Sequence, residues 1–465
     1  MTETRPNPQL TRAMPRGIVK GITVGIVAMV LAFLLYLVLP FDNEVNKGLA
    51  VLLFVAILWF TEAVHITITA LMVPILAVVL GFDGMNTRAA LSNFADPVIF
   101  IFFGGFALAT ALHMQQLDRK IAFYLVSLSR GNMLLATLLI FAVTAFMSMW
   151  ISNTATAAMM LPLALGVMSH LDRANYRNSY VFVLLGVAYS ASIGGLGTLV
   201  GSPPNAIAAR ELGMDFAQWM QVGMPMVVVL LPIMVFTLWL VFRPNFSKGA
   251  GEIDLGEDIE WTPIRIITLA LFVFIATCWI FSSKISQVLG TTGTDSLIAL
   301  FAAVMVVVLG CATWKDVADN TDWGVLLLFG GGITLSKVMQ SSGTSQVLGQ
   351  LVADTFGGAN PLIVILVVCT FIIILTEFTS NTASAALLVP VFAGVATQMN
   401  LPPEVLVLLI GIGASCAFML PVATPPNAIV FGSGLIHQRE MIRAGMVLNV
   451  LCIGVVSLFV YLFIY

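Results

Sequence analysis

Twice in this chain a Ser-Asn-Thr tripeptide sits inside an apolar stretch, and each time a Pro-Pro-Asn follows. The first set is Ser152-Asn153-Thr154 with Gly201-Ser202-Pro203-Pro204-Asn205. The second is Ser380-Asn381-Thr382 with Ala423-Thr424-Pro425-Pro426-Asn427. Hydroxyls, amides and prolines are costly in an apolar interior unless they bind something or line a cavity. Phe103-Gly104-Gly105 is likewise echoed by Phe329-Gly330-Gly331. The separation between copies is nearly the same for all three motifs. Pairing that persists in this way predicts an internal repeat whose halves build one site.

Composition names the solvent. Of 465 residues, 59% are hydrophobic and 9% charged, where a soluble domain carries about 25% charged. Apolar runs of about 20 residues predict helices rather than barrel strands. The expected fold is an all-α polytopic membrane protein of about 11 transmembrane helices plus two re-entrant hairpins, with inverted repeats. A net charge of -3 offers no surface for nucleic acid. The five cysteines form no CxxC and the four histidines no HExxH, which argues against a metalloenzyme. Ser152 and Ser202 have no His or Lys close in sequence to activate them, so the chain does not read as an enzyme.

Basic residues orient the helices. Residues 1–20, with Arg5, Arg12, Arg16 and Lys20, read as a cytoplasmic N-terminal segment. The run from Ile22 to Leu39 is too long for a signal-peptide core and reads as a retained first helix. Arg119, Lys120 and Arg130 precede the first tripeptide, and Arg173 and Arg177 follow it, so both flanks should be cytoplasmic and Asn153 should cap a hairpin. Residues 341–360 and 399–405 carry no Lys or Arg, so the second hairpin should enter from the opposite face. The expected organisation is one membrane domain, 21–465, in a cell inner (plasma) membrane. It divides into repeat 1 (about 45–243), an acidic cytoplasmic linker (about 244–262, with Glu252, Asp254, Glu257, Asp258 and Glu260) and repeat 2 (about 263–465).

Side-chain and free backbone oxygens suit a small hard cation such as Na⁺, and helix N-termini suit an anion. The prolines should break their helices near Val200 to Ser202 and between Leu420 and Thr424, freeing carbonyls. Ser148 stands four residues before Ser152, and Thr376 four before Ser380. Helical spacing places each hydroxyl on the tip's own face as a further ligand. No Lys or Arg lies within these motifs, so bound cations should offset the anion's charge. Glu377 either assists the second cation site or faces a structural polar partner.

These paired tips and proline loops resemble the divalent anion:sodium symporter (DASS) family, over nearly the whole chain beyond Lys20. The resemblance implies two sodium sites, one of Ser148, Ser152, Asn153 and Gly201, the other of Thr376, Thr379, Asn381 and Ala423. It places the substrate carboxylates among Asn153, Thr154, Ser202, Asn381, Thr382, Thr424 and Pro425. It also implies a homodimer in which a scaffold domain anchors a moving transport domain, the elevator form of alternating access. The resulting expectation is sodium-coupled import of a small dianion, a C4-dicarboxylate such as succinate. Citrate or sulfate symport, and sodium-independent exchange on the same fold, are the alternatives within the class.

Overall fold

The computed structural model describes residues 16–169, 171–173, 175–246, 259–356 and 360–465. Lys248, most of the acidic linker and the first fifteen residues lie outside them. Every regular element among the described residues is helical. Among the described residues, seven helices are long and apolar enough to cross a membrane, or up to nine when two bent pairs are taken as single spans. That is fewer than the eleven expected, because several apolar segments are built from shorter pieces. Ile66–Val79, Met133–Ser148, Asn153–Met168 and Pro403–Gly413 are apolar helices of 10–17 residues.

The order of helices between 43 and 242 recurs between 263 and 463. Asn43–Thr61 corresponds to Pro263–Ile280, Ile66–Val79 to Thr294–Val308, and the glycine-bearing Pro97–Met114 to Trp323–Ser341. The hairpin Met133–Ser148 and Asn153–Met168 corresponds to Pro361–Thr376 and Asn381–Gln398. The broken helix Arg177–Gly194 and Pro203–Leu212 corresponds to Pro403–Gly413 and Pro425–Gly432. The long Phe216–Phe242 corresponds to Gln438–Phe463.

Small residues allow these helices to approach closely, as they do in lipid, where burial of apolar surface does not drive association. A Cβ on Gly104 would lie 2.3 Å from the Ala299 carbonyl, and one on Gly331 would lie 2.6 Å from the Ala70 carbonyl. Each glycine helix therefore crosses the second helix of the other repeat. By these contacts Gly104 matches Gly331, and Gly105 matches Gly332. The broken helices interlock in the same way. Pro425–Gly432 packs on the first hairpin's second arm and on Arg177–Gly194, while Pro203–Leu212 packs on Asn381–Gln398 and Pro403–Gly413.

The breaks begin earlier than the prolines suggested. The first helix ends at Gly194, passes through a 3-10 turn at Gly195–Gly197, and restarts at Pro203. The second ends at Gly413 and restarts at Pro425. Glycines weaken the ends, whereas each proline occupies a first-turn position that needs no N–H and so begins the next helix.

Beside the linker, Arg265 donates to the carbonyls of Gln115 (2.9 Å) and Glu260 (2.6 Å). This fixes the start of the second repeat against the first.

Candidate functional site

Each hairpin tip is a short helix break closed by an N-cap serine. Ser152 accepts from Ala155 N at 3.3 Å and Ser380 from Ala383 N at 3.4 Å. Capping leaves Asn153 and Asn381 as the first residues of their helices. Both are half-buried.

In the first repeat, Ser148 Oγ lies 2.7 Å from the Ala191 carbonyl and 2.6 Å from Asn153 Oδ1. Ser148 is fully buried. One hydroxyl proton cannot serve both acceptors. Asn153 can turn its amide nitrogen inward and donate to Ala191 O (3.1 Å), Gly201 O (3.2 Å) and Ser148 Oγ (2.6 Å). With its oxygen inward instead, it gathers with Ser148 Oγ and the Ala191 and Gly201 carbonyls, a group of oxygens from four residues whose chemistry suits a small hard cation. Glycine is required nearby: a Cβ on Gly195 would lie 2.4 Å from Asn153 Oδ1, and one on Gly201 would lie 2.5 Å from Gly195 O.

The second repeat reproduces this cluster. Thr376 Oγ1 lies 2.6 Å from Asn381 Oδ1 and 2.9 Å from the Ala414 carbonyl. Ser148 and Thr376 thus sit beside the tips as expected, but as the last residues of their helices and against Asn153 and Asn381. Thr379 does not turn its hydroxyl to this cluster. From the turn that follows the first arm it donates back to Leu375 O at 2.9 Å, and it pairs with Ser384 Oγ at 2.7 Å. With its hydroxyl engaged by these two partners, Thr379 offers its main-chain carbonyl toward the tip. Gly201 and Ala423 likewise have only main-chain atoms to offer.

Asn205 and Asn427, the asparagines of the proline motifs, are fully buried clamps. Asn205 Nδ2 donates to Gly195 O and Thr198 O, both at 2.7 Å. Asn427 Nδ2 donates to Ala417 O (3.1 Å) and Leu420 O (3.0 Å). Each amide satisfies two carbonyls that the helix break releases, and the bonded carbonyls hold the same places in both halves.

Glu377 takes the structural alternative. Its carboxylate accepts from Phe418 N (2.7 Å), Met419 N (2.9 and 3.1 Å), Leu420 N (3.0 Å) and Asn449 Nδ2 (2.7 Å). It is 2% exposed. Three consecutive amides and a side-chain amide around one carboxylate satisfy a buried charge that would otherwise be prohibitive.

The substrate set divides by exposure. Thr154 and Pro425 are exposed, Thr382 is half-buried, and Ser202 and Thr424 are buried. Thr424 accepts from Asn427 N at 3.3 Å, and Ser202 Oγ faces Ser415 Oγ at 3.4 Å across the repeats. Thr154 and Pro425 begin helices that pack on each other. No hydrogen bond among the described residues joins Asn153 to Asn381. Four helices therefore start around this region, at Asn153, Pro203, Asn381 and Pro425. Their N-termini supply partial positive charge, and no Lys or Arg occurs in 145–158, 190–205, 376–390 or 411–428.

The sequence reading missed Ala191, Ala414, Asn205, Asn427 and Ser415. The first two contribute only carbonyls, which no side-chain pattern reports. The asparagines lay within the proline motifs, and their recurrence was the available signal.

Interlocked hairpins and broken helices around a polar centre define a polytopic membrane transporter. Residues 20–465 match the sodium:sulfate symporter transmembrane region, and the chain belongs to that family, as the paired motifs indicated. It is 54% identical over 439 residues to an uncharacterized transporter of Haemophilus influenzae, covering 93% of this chain and 94% of the relative. It is 32% identical over 468 residues to the sodium-dependent dicarboxylate transporter SdcS of Staphylococcus saprophyticus, covering 90% and 87%. Among solved structures, the Alcanivorax borkumensis YdaH transporter matches with TM-score 0.55 at 13% identity, over 96% of this chain and 98% of that one. The Neisseria gonorrhoeae efflux pump MtrF matches at 0.54 and 12%, over 98% and 97%. These two likenesses concern the fold alone.

Proposed function

We propose that this protein is a sodium-coupled symporter importing a small dianion, a C4-dicarboxylate such as succinate. The observation that carries the reading is the pair of oxygen clusters, Ser148–Asn153–Ala191–Gly201 and Thr376–Asn381–Ala414. Both lie beside helix N-termini, in stretches of sequence that carry no Lys or Arg. Cations at the clusters would neutralise the anion that the amides, hydroxyls and helix ends hold. Backbone carbonyls of Gly201, Thr379 and Ala423 would complete the cages, with Ser152 at the first tip. Thr154, Ser202, Thr382, Thr424 and Pro425 would line the substrate space between them. The name borne by the relatives at about 32% identity supports a dicarboxylate. An inward sodium gradient and a negative interior drive net positive charge inward, so import gains from more than two Na⁺ per dianion.

Alternating access is supported by unequal docking of the two halves. A Cβ on Gly332 would lie 3.2 Å from Ala386 Cβ, and Ala386 and Pro390 are buried. Their counterparts on the first hairpin, Ala158 and Pro162, are exposed. Conversely, Val200 packs on Gly105 and is 8% exposed, while its counterpart Val422 is 82% exposed. In this reading the hairpins and broken helices form the transport body, and the glycine helices belong to the scaffold. Repeat 1 (about 45–243) and repeat 2 (about 263–465) are then inverted about an axis in the membrane plane. With the N-terminus and the first hairpin on the cytoplasmic side of the plasma membrane, the exposed Thr154 and Pro425 face inward. By the family's pattern the assembly is a homodimer.

The test is uptake by purified protein in liposomes, with succinate, citrate and sulfate each offered in sodium and in potassium buffer. Sodium-dependent succinate uptake is expected. Sulfate or citrate uptake without succinate would reassign the substrate, and equal rates in potassium would remove the coupling.

A further inference from the structure

The two breaks seat one carbonyl in the same way and hold it with different donors. Leu196 O in the first break and Phe418 O in the second are counterparts in the register of the two proline motifs. A Cβ on Gly223 would lie 2.2 Å from Leu196 O, and one on Gly445 would lie 2.3 Å from Phe418 O. Leu196 O accepts from Trp219 Nε1 at 3.0 Å, a donor from its own repeat. The counterpart of Trp219 is Met441, which has no hydrogen to donate. Phe418 O instead accepts from Tyr189 Oη at 2.6 Å, a donor from the other repeat. The Tyr189 ring also packs edge-on against Phe418, with centroids 5.0 Å apart. Gly411 and Ile412 stand at the place equivalent to Tyr189, and neither carries a hydroxyl, so the second repeat cannot return the contact.

The contact joins the two cages. Tyr189 is fully buried and lies two residues before Ala191, whose carbonyl takes the Ser148 hydroxyl. The Phe418 amide donates to Glu377, the neighbour of Thr376 in the second cage. A path of covalent neighbours and short hydrogen bonds therefore runs from Ala191 through Tyr189, Phe418 and Glu377 to Thr376.

We propose that Tyr189 is the positioning residue through which the two cation cages are coupled. The proposal rests on the sodium-symport reading above. At this carbonyl the first break is held from within its own repeat, whereas the second is held by a side chain of the first repeat. A cation on Ala191 O firms the last turn of helix Arg177–Gly194. That fixes the phenol, and the phenol holds the loop that shapes the second cage. The resulting coupling is reciprocal in equilibrium affinity.

Tyr189→Phe keeps the ring and removes only the donor. The experiment is equilibrium binding of radioactive sodium to the purified full-length protein, with thermal unfolding measured in parallel. Cooperative binding is expected for the wild type, with a Hill coefficient above one that falls to about one in Tyr189→Phe. Trp219→Phe removes the matching donor within the first repeat and should lower thermal stability while leaving the binding cooperative. Cooperativity unchanged in Tyr189→Phe, or absent from a wild type that binds sodium, overturns the coupling. Absence of sodium binding by the wild type overturns the symport reading itself. Should Tyr189→Phe fail to fold, Glu377→Gln breaks the same path at its other end and must lower the Hill coefficient for the proposal to stand.

Discussion

Met149 and Glu377 occupy the same place in the two hairpins, and Thr198 and Leu420 the same place in the two breaks. In the first repeat the Thr198 hydroxyl donates to the Met149 carbonyl. In the second, Leu420 has no hydroxyl, and the Glu377 carboxylate gathers the amides of 418–420 instead. The tie between hairpin and break is kept, and in both halves the break donates and the hairpin accepts, but a side-chain hydroxyl on a main-chain carbonyl is replaced by main-chain amides on a side-chain carboxylate. The exchange also makes the two clusters chemically unequal, because only the second has a carboxyl group on the residue next to its hydroxyl. The halves also differ in surroundings. Trp150 packs against Phe216 (6.1 Å) and Phe272 (5.2 Å), while its counterpart Phe378 is 69% exposed. Equivalent residues thus meet different neighbours, as the proposed exchange between two docked states would require.

The largest effects should be symmetric. On the proposed reading Asn153→Ala and Asn381→Ala each remove an oxygen assigned to both cation and anion, and each should lower sodium-driven uptake in liposomes by about 100-fold or more. Retained transport in either variant would break the equivalence of the cages. The next effect should be unequal. Glu377→Ala strands four buried donors and should cost about 3–5 kcal/mol of stability, whereas Thr198→Ala should cost about 1–2 kcal/mol. Chemical unfolding in detergent distinguishes the two, and equal losses would mean that the carboxylate is no stronger a tie than the hydroxyl. Smallest is the aromatic pair. Trp150→Ala should destabilise by about 2 kcal/mol and Phe378→Ala by under about 0.5 kcal/mol; the reverse order would contradict the packing described for the two tips.

Much of this was legible because polar residues in apolar sequence need a reason to be there. The hairpins, the placement of Ser148 and Thr376 beside the tip asparagines, and the repeat itself follow from residue type and spacing. The extent of the breaks did not, because prolines draw attention to the restart while glycines set the stop. Glu377 was visible as a charge but not as a clamp, since its partners lie 41 to 43 and 72 residues away. Tyr189 looked like any aromatic in a buried helix. Its role depends on a carbonyl 229 residues distant, at a break whose shape only the folded chain supplies.

The comparison of halves is tested most directly by disulfide trapping in liposomes. Gly332→Cys with Ala386→Cys should cross-link in the docked arrangement described here and arrest transport until reduced. Gly105→Cys with Ala158→Cys, the equivalent pair in the other repeat, should cross-link only as the transport body moves to its second position, and should arrest transport with equal reversibility. A functional protein in which the first pair forms without loss of transport, and the second never forms under any sodium or substrate gradient, would contradict an exchange between two repeat-related docked states.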